Sequence, residues 1–159
     1  MDRQKYIQHV SAFKRADQLI MTTNVKTKEG LWYLQQPVVA LDIRTGLAAI
    51  GDALLDTLSR TQTGLPSPPS QAELDETMEQ IFKAAGVQTY DHFLEGTLHL
   101  SIGRKVGGIE LAPTHNGGTD GEGFHFLSEG GMLLEGELSP EQLGDAVLQG
   151  FAACTTIYG

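Results

Sequence analysis

The sequence predicts a mixed α+β domain in which helices pack on a face of an antiparallel sheet of about six or seven strands. Three observations lead to this fold class: short aromatic or β-branched runs between turn residues, capped helices with one apolar stripe, and an internal repeat. A chain of 159 residues can bury a substantial core. We therefore expect residues 1–159 to form a single domain.

Seven strands are predicted along the chain. Each is a short apolar run rich in aromatic or β-branched residues, and most are bounded by turn residues such as those at Gln35–Pro37 and Gly103–Gly107. The predicted strands are 19–25, 31–34, 38–42, 97–102, 108–112, 124–127 and 132–137.

Three helices are predicted from their start signals and apolar spacing. Ser70 and Ser139 each precede a Glu or Gln three residues later, which is the pattern of a capping box, and Pro140 occupies the first helical position. Apolar residues then recur every three or four positions. The predicted helices are 47–59, 71–85 and one that begins at residue 140.

An internal repeat aligns residues 29–58 with residues 122–151 without a gap, with eight identical columns. Each copy reads as two strands and a helix, so the sequence predicts a duplicated ββα unit. Gly51 and Gly144 match within the two helices, where glycine is costly, so we expect a close approach of each helix to the sheet.

The repeat also predicts how the domain is organised. We expect pseudo-repeat halves over about 13–59 and 70–159, joined by a connector at 59–70. Three prolines and a glycine in the connector predict an exposed segment without regular structure.

The net charge of −9 argues against nucleic acid as a partner, because phosphate contacts require clustered Lys and Arg. No apolar run approaches the length of a membrane span and no signal peptide is recognised, so no membrane partner and a cytoplasmic location are predicted. A single cysteine fits a reducing compartment. From Val106 to Gly159 there are eight acidic residues and no Lys or Arg. That segment is either an ordinary solvated face or a surface for a cationic partner.

A catalytic or metal site is not indicated, so we predict no enzyme activity, metal or cofactor. His115 and His125 bound a loop rich in Gly, Asn and Asp without the spacing of a zinc site, and His99 is expected at the opposite end of a hairpin from His115. We expect Cys154 to be buried and to pack as a small apolar residue. The alternative is a small metal- or ligand-binding enzyme domain that uses the His/Asp-rich loop 115–125.

Asp52 and Asp145 recur in both copies of the repeat and invite comparison with a catalytic carboxylate pair. Each falls early in its helix, where the helix dipole favours an acid, and that explanation is sufficient. Trp32 lies on a predicted strand, so we expect it to pack in the core, although an exposed Trp32 would suit a binding anchor.

Several segments resemble one group of contact-dependent growth inhibition (CDI) immunity proteins. The resemblance rests on I-x-L-x-P-T-x-x-G at Ile109–Gly117 and L-G-D-A-x-L at Leu143–Leu148, and it extends from about Leu19 onward. It implies a non-enzymatic protein that binds the C-terminal toxin domain of a cognate exported protein in the cytosol, where that toxin is often a nuclease.

A nuclease toxin is basic around its active site, so an acidic partner would complement it. We therefore expect the toxin to contact the acidic residues of the second half, or an acidic row on the connecting helix. The oligomeric state is left open, including self-association through a sheet edge. The candidates of the second half are Asp120, Glu122, Glu129, Glu135 and Glu137, and those of the helix are Glu73, Glu76 and Glu79.

Overall fold

The computed structural model describes residues 5–158 and confirms the α+β class. Within that range the chain forms eight strands and four helices. The strands are β1 Gln8–Arg15, β2 Gln18–Lys26, β3 Trp32–Asp42, β4 Leu98–Lys105, β5 Gly108–Asn116, β6 Phe124–Phe126, β7 Met132–Leu134 and β8 Thr155–Thr156. The helices are α1 Leu47–Ser59, α2 Gln71–Ala85, α3 Tyr90–Leu94 and α4 Pro140–Ala152.

The strands form one open sheet in the order β3-β2-β1-β4-β5-β6. β6 and β7 pair with successive parts of β5, and the short β8 also pairs with β5, in parallel. All other pairings are antiparallel. The outer flank of β5 is therefore built from short strands and the loops that join them.

Three strands differ from the sequence expectation, and one of them is the two-residue β8, which was not predicted. β1, at the centre of the sheet, was not predicted, because its inward-facing polar residues His9 and Ser11 hide the strand pattern. The turn predicted at Gln35–Pro37 is wrong, since β3 runs through it. Thr22 pairs with Val38 and Thr23 with Gln35, so a bulge takes up the extra residues.

Helices cover both faces of the sheet, and not one face as expected. On one face α1 and α4 pack against the main core, to which β1, β2, β4 and β5 all contribute. On the other face α2 packs on β3 and β2, and α3 contacts α2. A smaller core forms there around Phe13, Ile20, Ile81 and Phe93. None of the helices in residues 5–158 is long and apolar enough to cross a membrane.

The two repeat glycines bring helices together, which corrects the expectation of a helix-to-sheet approach. A Cβ on Gly51 would lie 1.9 Å from the carbonyl oxygen of Pro140, and a Cβ on Gly144 would lie 2.0 Å from that of Leu47. Both contacts join α1 to α4, so each glycine lets the start of the opposite helix pass close by.

The duplication stays a prediction, and its two copies differ: residues 29–58 contain one long strand, β3, before α1, whereas residues 122–151 contain β6 and β7 before α4. Two hairpins outside these copies match in length. β1 and β2 have the same lengths as β4 and β5, and each pair is joined by a two-residue turn. β1 begins at Gln8, earlier than the expected half that starts near residue 13. The connector is only partly free, because Leu65 N–H donates to the Lys26 carbonyl (3.1 Å) at the end of β2.

Candidate functional site

The acidic residues predicted for the second half lie exposed along one edge of the sheet, which we call the acidic edge. β6 pairs with Thr114–Asn116 and β7 with Ile109–Leu111, so the connections that carry them follow β5 over roughly 25 Å. The members are Asp120 and Glu122 in the β5–β6 loop, Glu129 between β6 and β7, and Glu135 and Glu137 between β7 and α4.

The second acidic group lies elsewhere. Glu73, Glu76 and Glu79 are exposed on α2, which packs on β3 and β2. β3 and β5 are separated by three strands in the sheet order, so the two groups do not form one surface. Glu73 also has a structural task, because its side chain accepts a hydrogen bond from the Ser70 N–H (3.2 Å) within the capping box.

The loop that carries Asp120 and Glu122 is held in place by hydrogen bonds. Buried Asn116 accepts from Gly118 N–H (2.9 Å) and donates to the carbonyls of Leu94 (2.7 Å) and Thr97 (2.9 Å). The Thr119 hydroxyl lies 3.0 Å from a carboxylate oxygen of Asp91 on α3. The acidic groups of this loop are therefore presented on an ordered support.

Exposed apolar side chains surround the same loop. Tyr90, Ile157 and Tyr158 are 45%, 59% and 41% exposed, and we call them the apolar rim. A Cβ on Gly118 would lie 2.7 Å from both Ile157 Cδ1 and Tyr158 Oη, so the loop packs directly against the rim. Tyrosine is among the residue types that contribute most to binding free energy at protein interfaces.

The histidines are arranged differently from the expectation. His99 and His115 lie at the same end of the β4–β5 hairpin, since Thr114 donates to the His99 carbonyl (2.6 Å). His115 pairs directly with His125 across β5 and β6. His115 Nδ1 lies 2.8 Å from Thr155 Oγ1, and His125 Nε2 hydrogen-bonds to the Gly121 carbonyl. Within residues 5–158, no group of three His, Cys, Asp or Glu side chains is placed to hold a metal.

A buried polar cluster on β1, β2 and β4 was not anticipated. His9 Nε2 lies 2.7 Å from Ser101 Oγ, and its Nδ1 contacts the Asn24 amide, which also donates to Ser11 Oγ (3.0 Å). Tyr6 stacks on the His9 ring. Ser101 is fully buried and His9 is 1% exposed, so neither can reach a substrate and the cluster is part of the core.

Three of the four remaining candidates from the sequence have structural partners. Trp32 is half-buried, with its ring centroid 5.2 Å from that of His9 and 5.5 Å from Lys26 Nζ. Exposed Asp145 accepts from the Gln149 amide (2.6 Å), while Asp52 is exposed on α1. Burial raises the pKa of the Cys154 thiol, which faces the His99 carbonyl (3.2 Å).

Comparison with known proteins places this architecture among others of the same kind. The chain superposes on a protein of unknown function, NMB0488 from Neisseria meningitidis, with a TM-score of 0.78 at 15% identity, covering 97% of this chain and 98% of that one. It also superposes on a chain of a CdiA-CT/CdiI toxin and immunity complex from Yersinia pseudotuberculosis, with a TM-score of 0.73 at 14% identity, covering 93% and 97%. These likenesses establish a shared fold.

A search of curated proteins finds no match to the sequence. The family model described as CdiI, CDI immunity protein, matches residues 34–154. That match covers more than half of the chain, from β3 through the end of α4. The chain belongs to the CDI immunity protein family.

Proposed function

We propose that this protein binds and neutralises the C-terminal toxin domain of a cognate CDI exported protein, acting in the cytoplasm as an inhibitor and not as an enzyme. The Yersinia relative is described as part of a toxin and immunity complex, and we extend that role to this chain. The toxin domain is proposed to be a basic nuclease. The observation that carries the proposal is the acidic edge, a row of exposed carboxylates along one edge of the sheet.

The charge of this edge suits a basic partner. A nuclease surrounds its active site with Lys and Arg to hold phosphates, and facing it with carboxylates complements that potential. No Lys or Arg follows Lys105 in the sequence, so the connections around β6 and β7 contain no basic residue to offset the acids. Opposite potentials accelerate association by steering the two proteins together.

The apolar rim is proposed to contribute the binding free energy that the charges of the acidic edge do not provide. Exposed carboxylates at the periphery of an interface contribute mainly to the association rate, whereas a few aromatic anchors contribute most of the binding free energy. Tyr90 and Tyr158 stand beside the loop that carries Asp120 and Glu122. We propose that the tyrosines anchor the complex that the acidic edge attracts.

The function is tested by co-expressing this protein with the C-terminal domain encoded by the adjacent exported-protein gene. Rescue of growth, together with co-purification of the two chains, is the expected result. A toxin domain that still kills the cells, or that does not bind the purified protein, overturns the proposal. A nuclease assay on the isolated toxin domain, with and without the immunity protein, tests the proposed toxin activity.

The interface is tested with matched charge variants in a stopped-flow or surface-based binding assay. Glu129→Gln/Glu135→Gln and Asp120→Asn/Glu122→Gln each remove two charges from the acidic edge, and Glu76→Gln/Glu79→Gln removes two from α2. We expect each edge variant to lower kon by roughly 3- to 10-fold at low salt, and the α2 variant to change it little.

The same binding assay also measures how kon depends on the salt concentration. Raising the ionic strength from 20 to 500 mM shortens the range of electrostatic steering, so kon of the unsubstituted protein should fall toward that of the edge variants. If the α2 variant alone slows association, α2 is the toxin-facing side. A kon that neither salt nor any variant alters contradicts an electrostatic interface.

A further inference from the structure

A cleft of about 540 Å³ lies beside the acidic edge, where the end of the β4–β5 hairpin meets the segment that leads from β7 into α4. Its lining mixes polar and apolar groups, which come from α1, β4, β5, β7, the β7–α4 connection and α4. Gly136 and Glu137 belong both to the cleft and to the segment that carries the acidic edge. The apolar residues that line it are Leu55, Ile109, Leu134, Leu138 and Leu143.

Arg104 is the cationic side chain that lines this cleft, whose other charged residue is Glu137. It lies on β4, paired with Ile109 of β5, and it is half-buried. Its Nε atom is shielded from solvent and has no hydrogen-bond partner. Within residues 5–158 no carboxylate forms an ion pair with Arg104. Glu110 pairs instead with the neighbouring Lys105, at 2.8 Å.

One donor of the Arg104 guanidinium, its Nε–H, lacks the acceptor that a buried donor requires. A guanidinium presents five donors in a rigid planar fork that matches a carboxylate in a bidentate arrangement. A shielded donor without a partner is unfavourable, and a ligand that supplies the acceptor removes that penalty on binding. A charge-assisted hydrogen bond of this kind is shorter and stronger than one between neutral groups.

We propose that this cleft receives an acidic side chain, Asp or Glu, of the toxin domain, which pairs with Arg104 while apolar neighbours pack on the cleft walls. The inference rests on the proposed function. It follows from charge complementarity to Arg104, and from the continuity of the cleft with the acidic edge through Gly136 and Glu137. The toxin then presents a basic surface to the edge and one carboxylate to the cleft.

The two kinds of contact predict opposite signs for the loss of a positive charge. If bulk charge alone governs binding, Arg104→Gln makes the protein more acidic and strengthens binding to a basic toxin. If Arg104 pairs with a toxin carboxylate, the same substitution accelerates dissociation. Arg44→Gln is the matched control, because Arg44 is an exposed residue whose ion pair with Asp42 (2.7 Å) lies before α1, outside the cleft lining.

The experiment measures kon and koff of each variant with the isolated toxin domain. We expect Arg104→Gln to raise koff at least about tenfold, Arg104→Lys to retain part of the affinity, and Arg44→Gln to leave koff unchanged. Circular dichroism and thermal unfolding verify that each variant is folded. If Arg104→Gln does not fold, Arg104→Lys takes its place, with an expected rise in koff of several-fold.

A double-mutant cycle identifies the partner residue. Each acidic residue of the toxin domain is changed to its amide, and one of these substitutions should be non-additive with Arg104→Gln. An unchanged or lowered koff for Arg104→Gln, or additivity for every pair, overturns the inference and leaves the proposed function intact. Failure of the unsubstituted protein to bind the toxin domain overturns both.

Discussion

A Cβ on Gly144 would lie 2.0 Å from the carbonyl oxygen of Leu47, so the first turn of α1 passes over Gly144 at a distance that only glycine permits. Gly51 has the corresponding relationship with Pro140, at 1.9 Å. Leu47 and Pro140 are the first residues of their helices, and the 93-residue shift that aligns the two glycines also aligns them. This reciprocal contact fixes how α1 and α4 cross on the main core.

Gly144→Ala is therefore expected to destabilise the protein by about 3 kcal/mol, because a methyl group placed against backbone forces the two helices apart. Urea unfolding monitored by circular dichroism measures the loss. Asp52→Ala serves as the control, since Asp52 is exposed on α1 next to Gly51 and should change stability by less than about 0.5 kcal/mol. Equal stabilities for the two variants would falsify this account of the helix crossing.

A second prediction concerns the serine N-caps of α2 and α4. Ser70 Oγ accepts from Glu73 N–H and Ser139 Oγ accepts from Gln142 N–H, each at 3.1 Å, and both capping boxes are complete. Ser70→Ala and Ser139→Ala should each cost about 1 kcal/mol in unfolding free energy.

The control for both caps is Ser67→Ala, in the exposed part of the connector, which should leave the unfolding midpoint unchanged. A cap variant as stable as this control would show that its helix start is maintained by packing alone.

The three longer helices could be predicted closely because their signals are local, whereas the five-residue α3 was not predicted. Capping boxes, a terminal glycine at Gly86 and apolar spacing lie within a few residues of each boundary, and 47–59 and 71–85 are confirmed. The strands of the sheet centre depend on partners far away in sequence. β1 contains polar residues that are buried in a strand flanked by β2 and β4. No local sequence pattern indicates that burial.

The candidate site also has some features that could be predicted from the sequence and others that could not. Acidic residues in loops could be picked from the sequence, because charge and turn composition are visible there. The apolar rim could not be predicted, since Tyr90 and Ile157 are 67 positions apart in the sequence. They belong to one surface only because the β5–β6 loop packs against each of them in the folded protein. Arg104 carries no signal in sequence either, because its lack of a partner is a property of the folded cleft.

Cys154 should react slowly with Ellman's reagent in the native protein. Burial raises the pKa of its thiol, so little of the reactive thiolate is present near pH 8, and packing limits access. The rate in denaturant should be at least about 100-fold faster. Cys154→Ser/Thr155→Cys moves the thiol to the adjacent exposed position and should react rapidly without denaturant. Fast native labelling of Cys154 would contradict its burial.

The carboxylate of Glu110 links stability to pH. Burial on its own raises the pKa of this group, but hydrogen bonds from Lys105 Nζ (2.8 Å) and the Tyr6 hydroxyl (2.5 Å) outweigh it, and the pKa is lowered from 4.5. A group whose pKa is lower in the folded state stabilises the protein above its unfolded pKa. That contribution is lost as pH falls through the folded value.

Glu110→Gln should therefore reduce the unfolding free energy by about 1–2 kcal/mol at pH 7, because it removes the charged acceptor from both donors. The difference between the two proteins should shrink as pH falls below 4.5, because the Glu110 carboxyl of the unfolded chain then takes up a proton before that of the folded protein does. Urea unfolding at pH 7, 5 and 3.5 measures it. Glu129→Gln removes the same charge from an exposed position and should change stability at pH 7 by less than about 0.5 kcal/mol. A Glu110→Gln deficit that stays constant down to pH 3.5 would mean that the substitution acts through packing and not through the charge.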